Sequence, residues 1–240
     1  MRYILYNDAP IDLKNATVSS DDLLSAASKA NEILLGVEVN RNASMPSFYD
    51  VIDARSLSGF VGELYARVLA GQHGTLKSNP HIDGYPDLLD VSTPEALASA
   101  ASTDSAVFNE FAFGGLEVKN TFGNLRQPYK PKKLPSGPPP QYDYRATRDA
   151  RLSGLVWKAH HQRTNHLVAL QADYIDRVPQ VVAMFFSSEL CEDDWSVKQN
   201  PTEESAMTSF CATKPSAYAK LRAGLRFYAD SNVLAKFLSV

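Results

Sequence analysis

Two apolar runs close together constrain the fold of this chain more than any other feature. One contains Leu167-Val168-Ala169-Leu170, the other Val181-Val182-Ala183-Met184-Phe185-Phe186. Residues 165 to 175 and 178 to 187 therefore read as strands. A strand with one wet face alternates apolar and polar residues, whereas a near-continuous apolar run marks a strand covered on both faces. The pair predicts a central sheet packed between other layers.

Helical patterns supply those layers. Residues 20 to 35 carry an apolar stripe, Leu23, Leu24, Ala27, Ala30 and Leu34, with Ser20 placed to cap it. Residues 56 to 70 are apolar along Leu57, Phe60, Val61, Leu64, Tyr65 and Val68. Gly59, Gly62, Glu63, Ala66 and Ala70 share another face, small enough for close approach by a neighbour. That predicts a helix buried on two sides, with Glu63 confined where a carboxylate needs a partner. Ser92-Thr93-Pro94-Glu95 has the form of a capped helix start, followed by alanines to about residue 101. Strand character returns at Ala106 and runs through Phe108, Phe111, Phe113 and Gly114-Gly115 to Phe122. The double glycine predicts a bulge or close approach by a substrate backbone. Residues 146 to 163 read as a helix, and so does the C-terminal pattern from Pro215 through Tyr218, Leu221, Leu225, Tyr228, Leu234 and Phe237. No repeat and no clear boundary breaks the chain. The expectation is one α/β domain over residues 1–240, a sandwich around a mixed central sheet, with a proline-rich basic arm at about 126–145.

Composition narrows the setting. No apolar run is long enough to span a membrane, and the first eight residues lack the long apolar stretch of a signal peptide. Cys191 and Cys211 alone make no disulfide framework and no zinc site, so a reducing cytoplasm is the expected compartment. The net charge of −3 hides a strong asymmetry. Residues 118 to 163 hold ten Lys or Arg against two Asp, a balance of +8, which leaves −11 on the remainder. Within that stretch, six of the 14 prolines interleave with lysines between residues 126 and 145. Proline excludes regular helix and sheet there and favours a stiff extended arm. Arg126, Lys130, Lys132, Lys133, Arg145, Arg148 and Arg151 are the expected DNA phosphate and base contacts; the alternative is a solvated loop without a partner.

The chemistry-bearing residues lie beside this basic stretch. Tyr85-Pro86-Asp87 and Gly115-Leu116-Glu117-Val118-Lys119 are 30 positions apart from Asp87 to Glu117, room for a return connection between neighbouring strands. On a strand, Glu117 and Lys119 share one face while Val118 turns to the core. If Asp87 ends the adjacent strand, two carboxylates and one ammonium converge. Two hard oxygen donors suit Mg²⁺, which keeps several waters. A lysine beside them can orient or deprotonate a water, or stabilise developing negative charge.

Pro86-Asp87 followed by Glu117-Val118-Lys119 resembles the PD-(D/E)xK nuclease motif, and its glycine and basic surroundings resemble type II restriction endonucleases. The resemblance covers residues 56 to 120. It implies a restriction-endonuclease-like core, a prokaryotic cytoplasmic homodimer, and Mg²⁺-dependent cleavage of double-stranded DNA at a short specific site. Asp87 and Glu117 would hold the metal, Lys119 would serve the attacking water or the phosphorane charge, and Glu63 would be a secondary ligand or hold Lys119 or a metal water. A repair or recombination nuclease of the same fold, and a non-catalytic DNA-binding module, are the alternatives. His160, His161 and His166 carry no catalytic assignment, because adjacent histidines on a helix point apart. No glycine-rich phosphate loop precedes a helix.

Overall fold

The computed structural model describes residues 1–81, 84–123, 152, 154–199 and 209–230. A seven-stranded mixed sheet forms the centre. Its strands are β1 (Tyr3–Leu5), β4 (Leu76–Ser78), β5 (Leu88–Asp90), β6 (Gly115–Thr121), β8 (Leu167–Ile175), β9 (Val178–Ser187) and β11 (Leu225–Ala229), in the spatial order β1-β11-β9-β8-β6-β5-β4. Two two-stranded sheets pair β2 (Ile11–Asp12) with β3 (Thr17–Val18) and β7 (Lys158–Ala159) with β10 (Cys211–Ala212). Within the large sheet only β6 and β8 run parallel.

The two apolar runs are β8 and β9. Val168 and Leu170 face one core, Leu167 and Ala169 the other. The β8–β9 register shifts between Gln171 and Ala172, and Val182 and Ala183 consequently both join the second core. The first face is covered by the helices α1 (Ser20–Val39) and α3 (Ala54–Gln72), with the short α2 (Phe48–Val51) between them. On the second face lie Trp157, Trp195 and the helix α6 (Pro215–Ala223). Both tryptophans are fully buried, and each indole N–H donates to a carbonyl: Trp157 to Leu170 O at 2.7 Å, Trp195 to Thr164 O at 3.0 Å. Such bonds make a buried indole affordable. A third cluster packs Phe108 and Phe111 against Leu89, Val91 and Ala96 of β5 and the helix α4 (Pro94–Ser99).

Several local expectations are corrected. Ser19 caps α1: its Oγ accepts the Asp22 N–H while the Asp22 carboxylate accepts the Ser19 N–H, and Ser20 is buried inside the helix. Residues 106 to 113 are not a strand. The Asp104 carboxylate accepts the Ala106 N–H at the start of the helical turn α5 (Ala106–Asn109), and the aromatic side chains turn inward onto the third cluster. Residues 154 to 163 are not a helix. Leu155, Trp157 and Ala159 are buried while Val156 and Lys158 are exposed, a period of two imposed by pairing with β10. The C-terminal helix stops at Ala223. Gly224 lies so close to β9 that a Cβ there would fall 1.8 Å from Phe186 O, and the chain then enters the sheet as β11. Tyr3–Leu5, which gave no strand signal, pairs with β11 as an edge strand. Residues 126–145, Arg148, Arg151, Leu234 and Phe237 lie outside the described residues. Among the described residues no helix is long and apolar enough to cross a membrane.

Candidate functional site

The β5–β6 register builds the site. Leu88 pairs with Leu116 and Leu89 with Gly115, so one step further sets Asp87 opposite Glu117. Asp87 therefore precedes its strand and does not end it. This close pairing needs Gly115, whose φ is +148° and whose Cβ, were there one, would fall 1.8 Å from Leu88 O. Gly115 thus admits the neighbouring strand. The segment before Asp87 is pinned from outside. Asn79 donates its backbone N–H to Asp87 O at 2.8 Å and its amide N–H groups to Pro86 O and Phe108 O.

Asp87, Glu117 and Lys119 meet at this point. The Lys119 ammonium lies 2.8 Å from Asp87 Oδ2 and 2.9 Å from Glu117 Oε1. The Val118 N–H donates to Asp87 Oδ2 at 2.8 Å, and the Asp87 N–H donates to Glu117 Oε2 at 3.2 Å. Glu117 is only 2 % exposed, and burial, with the Asp87 charge adding to it, pushes its carboxyl up to about 7 against the pull of Lys119. Burial alone would lower the Lys119 pKa. The two carboxylates outweigh it and raise the pKa above the usual lysine range, so the ammonium stays charged. Val118 turns into the first core, on the opposite face from Glu117.

Beyond Glu117, no described strand pairs with β6 on its β5 side. There its edge borders a cavity of about 800 Å³ whose floor includes Asp87, Lys119 and Asn120. The small-residue face of α3 forms one wall. Gly62 brings α3 close to β6, because a Cβ there would sit 3.5 Å from Asn120 Cβ. Ser58 Oγ donates to Asn120 O at 2.8 Å, while Gly59 faces open space. Gly62 and Ala66 are buried and give this face its close approach to β6, while Gly59 and Glu63 are open to the cavity. Glu63 lies on it, but it is 53 % exposed and bonded to Arg67 at 2.6 Å. The confined position expected for it is not found, and Lys119 is held by Asp87 and Glu117 instead.

The other wall comes from Val156, Lys158, His160 and Phe210. Reading residues 146 to 163 as a helix concealed it, since helical periodicity scatters residues that a strand puts in line. His161, next to His160, packs edge-on against Tyr85, ring centroids 5.7 Å apart, just before Pro86-Asp87. Burial, with Glu117 nearby, pushes the Tyr85 hydroxyl up to about 12, so it stays neutral. The expected DNA contacts Arg126, Lys130, Lys132, Lys133, Arg145, Arg148 and Arg151 lie outside the described residues.

The donor set fits one hard divalent ion. Asp87 and Glu117 set two carboxyl groups against a single ammonium, and Asp87 Oδ1 accepts no hydrogen bond among the described residues. No group of three or more His, Cys, Asp or Glu suited to a metal occurs among the described residues. Mg²⁺ needs only one or two protein carboxylates beside its waters. The chain matches no family model, no curated protein and no solved structure.

Proposed function

We propose that this chain is a Mg²⁺-dependent endonuclease acting on double-stranded DNA, of the type II restriction class, and that it works as a homodimer. The observation carrying this reading is the Lys119 ammonium held within 2.9 Å of both Asp87 and Glu117 on the floor of a cavity. Taking these charges out of water gains little stability, so a stability role alone is a weak account of the cluster.

Asp87 and Glu117 would hold the ion. A bound Mg²⁺ supplies Lewis-acid polarisation of the scissile phosphate and a more acidic water. Lys119 would donate an N–H to a phosphate oxygen or to the attacking water. Its raised pKa favours stabilising negative charge over removing a proton. The backbone N–H groups of Asp87 and Val118 fix the carboxylates, so little reorganisation accompanies the reaction.

Plasmid incubated with the protein and Mg²⁺ should yield discrete fragments, and Lys119→Ala should abolish cutting while DNA binding persists. A smear of random products would instead support a repair or recombination nuclease. DNA binding without cleavage under any divalent ion would overturn the catalytic reading in favour of a binding module.

A further inference from the structure

We infer that the two walls of the cavity grip the phosphates of one DNA strand on either side of the floor, Arg55 from α3 and Lys158 from β7, with Phe210 holding Lys158 in position. This rests on the nuclease reading of the floor and adds the residues that hold the substrate there.

Both cations line the same cavity as Asp87 and Lys119. Both are exposed, and among the described residues neither forms an ion pair. Other basic side chains are committed: Arg67 to Glu63, Arg163 to Glu110, Arg177 to Asp50 and Lys220 to Asp194. Glu63, the acid on the Arg55 wall, is bonded to Arg67, and the Asp53 carboxylate, which feels the Arg55 charge, is occupied in capping α3 through the Arg55 and Ser56 N–H groups. Two exposed cations flanking the Lys119 ammonium suit a polyanion that lays one phosphate over Lys119 and its neighbours on the walls.

Among the described residues, Lys158 is held by an aromatic ring and not by a carboxylate. Its Nζ lies 4.2 Å from the centroid of the Phe210 ring. The backbone of Lys158 pairs with Ala212. Phe210 is tied to Gln199 by two hydrogen bonds, N–H to O at 2.8 Å and 3.1 Å. An ammonium resting on an aromatic face keeps its charge and its capacity to donate, yet surrenders less freedom when a phosphate arrives. Phe210 is therefore a positioning residue that acts through Lys158.

The test is equilibrium binding of a short fluorescein-labelled DNA duplex to the full chain in EDTA, followed by anisotropy across a salt series. Arg55→Ala and Lys158→Ala should each weaken binding roughly 3-fold to 10-fold and flatten the slope of log K against log salt by about 0.9. Lys158→Arg should restore the slope. Phe210→Leu should weaken binding in the wild-type background and have no effect on top of Lys158→Ala, while Phe210→Tyr, which keeps the ring, should bind like wild type. Unchanged affinity and slope in Arg55→Ala and Lys158→Ala overturn the grip, as does additivity of Phe210→Leu with Lys158→Ala. If cutting with Mg²⁺ survives alongside those results, the reading of the floor stands without the grip. If the duplex is gripped through these residues but never cut, the catalytic reading fails and the walls remain. A wild-type protein that binds no duplex overturns both.

Discussion

Asp87 and Glu117 are joined crosswise: the Asp87 N–H bonds the Glu117 carboxylate, and the Asp87 carboxylate bonds the N–H of Val118, the next residue after Glu117. Two like charges are thereby held side by side by the backbone of two paired strands, and Lys119 is the only side-chain cation bonded to either among the described residues. The site is organised by the strand pairing before any ion or substrate arrives.

Glu117→Gln should therefore stabilise the metal-free protein while abolishing Mg²⁺-dependent cutting. The folded-state pKa of Glu117 is raised, so its favourable contribution is present at low pH and is lost as pH rises from the ordinary carboxylate range toward 7. Gln removes that charge. Urea unfolding in EDTA at pH 8 should show a gain on the order of 1–2 kcal/mol, and the wild-type loss of stability between pH 5 and 7 should shrink in the variant.

Gly115→Ala should damage fold and site together. An added methyl would overlap Leu88 O, and a φ of +148° is unfavourable for alanine. A loss of about 2–4 kcal/mol is expected in thermal unfolding. Cutting should fall further than the fraction of folded protein, because Leu88 carries Asp87 with it.

Asn79→Ala should separate positioning from stability. The Asn79 amide bonds Pro86 O and Phe108 O and fixes the approach to Asp87. Its loss should cost about 1–2 kcal/mol of stability. The single-turnover cutting rate should drop roughly 100-fold if Asp87 shifts by even 1 Å, with DNA affinity in EDTA unchanged.

Asp194 governs the acid limb of stability far from the site. Burial opposes its ionisation, but Lys220 at 2.7 Å and the Cys191 N–H outweigh it and hold the carboxyl at about 2. A depressed carboxyl contributes stability above its ordinary pKa and loses it as pH falls below about 4 toward 2. Asp194→Asn should cost about 2 kcal/mol near neutrality and flatten the pH dependence between 4 and 2, measured by chemical denaturation across that range.

Patterns that depend on one element alone were legible. The apolar runs of β8 and β9 announced a sheet buried on both faces, and the stripes of α1 and α3 announced its cover. The alternation of Glu117, Val118 and Lys119 was enough to expect carboxylate and ammonium on one face, since strand geometry fixes that locally. Where helix and strand periodicities coincide, local reading failed. Leu155 and Ala159 fit a helical stripe, and only the pairing of Ala159 with Cys211 of β10 makes this end of the segment a strand. Leu225 and Tyr228 fit another, and only the slot between β1 and β9 draws them into the sheet.

The chain's own order of residues determined the chemistry available: two acids, one amine, the small residues that open a wall, and the glycine that lets two backbones meet. Tertiary structure decided which of these share a space. It left Glu63 in solvent with Arg67, brought Lys158, His160 and Phe210 to the cavity, and set Asp87 opposite Glu117. The reason is physical. Side-chain type and local periodicity are carried by neighbours in sequence, whereas strand register and burial depend on partners tens of residues away, whose contacts no local pattern encodes.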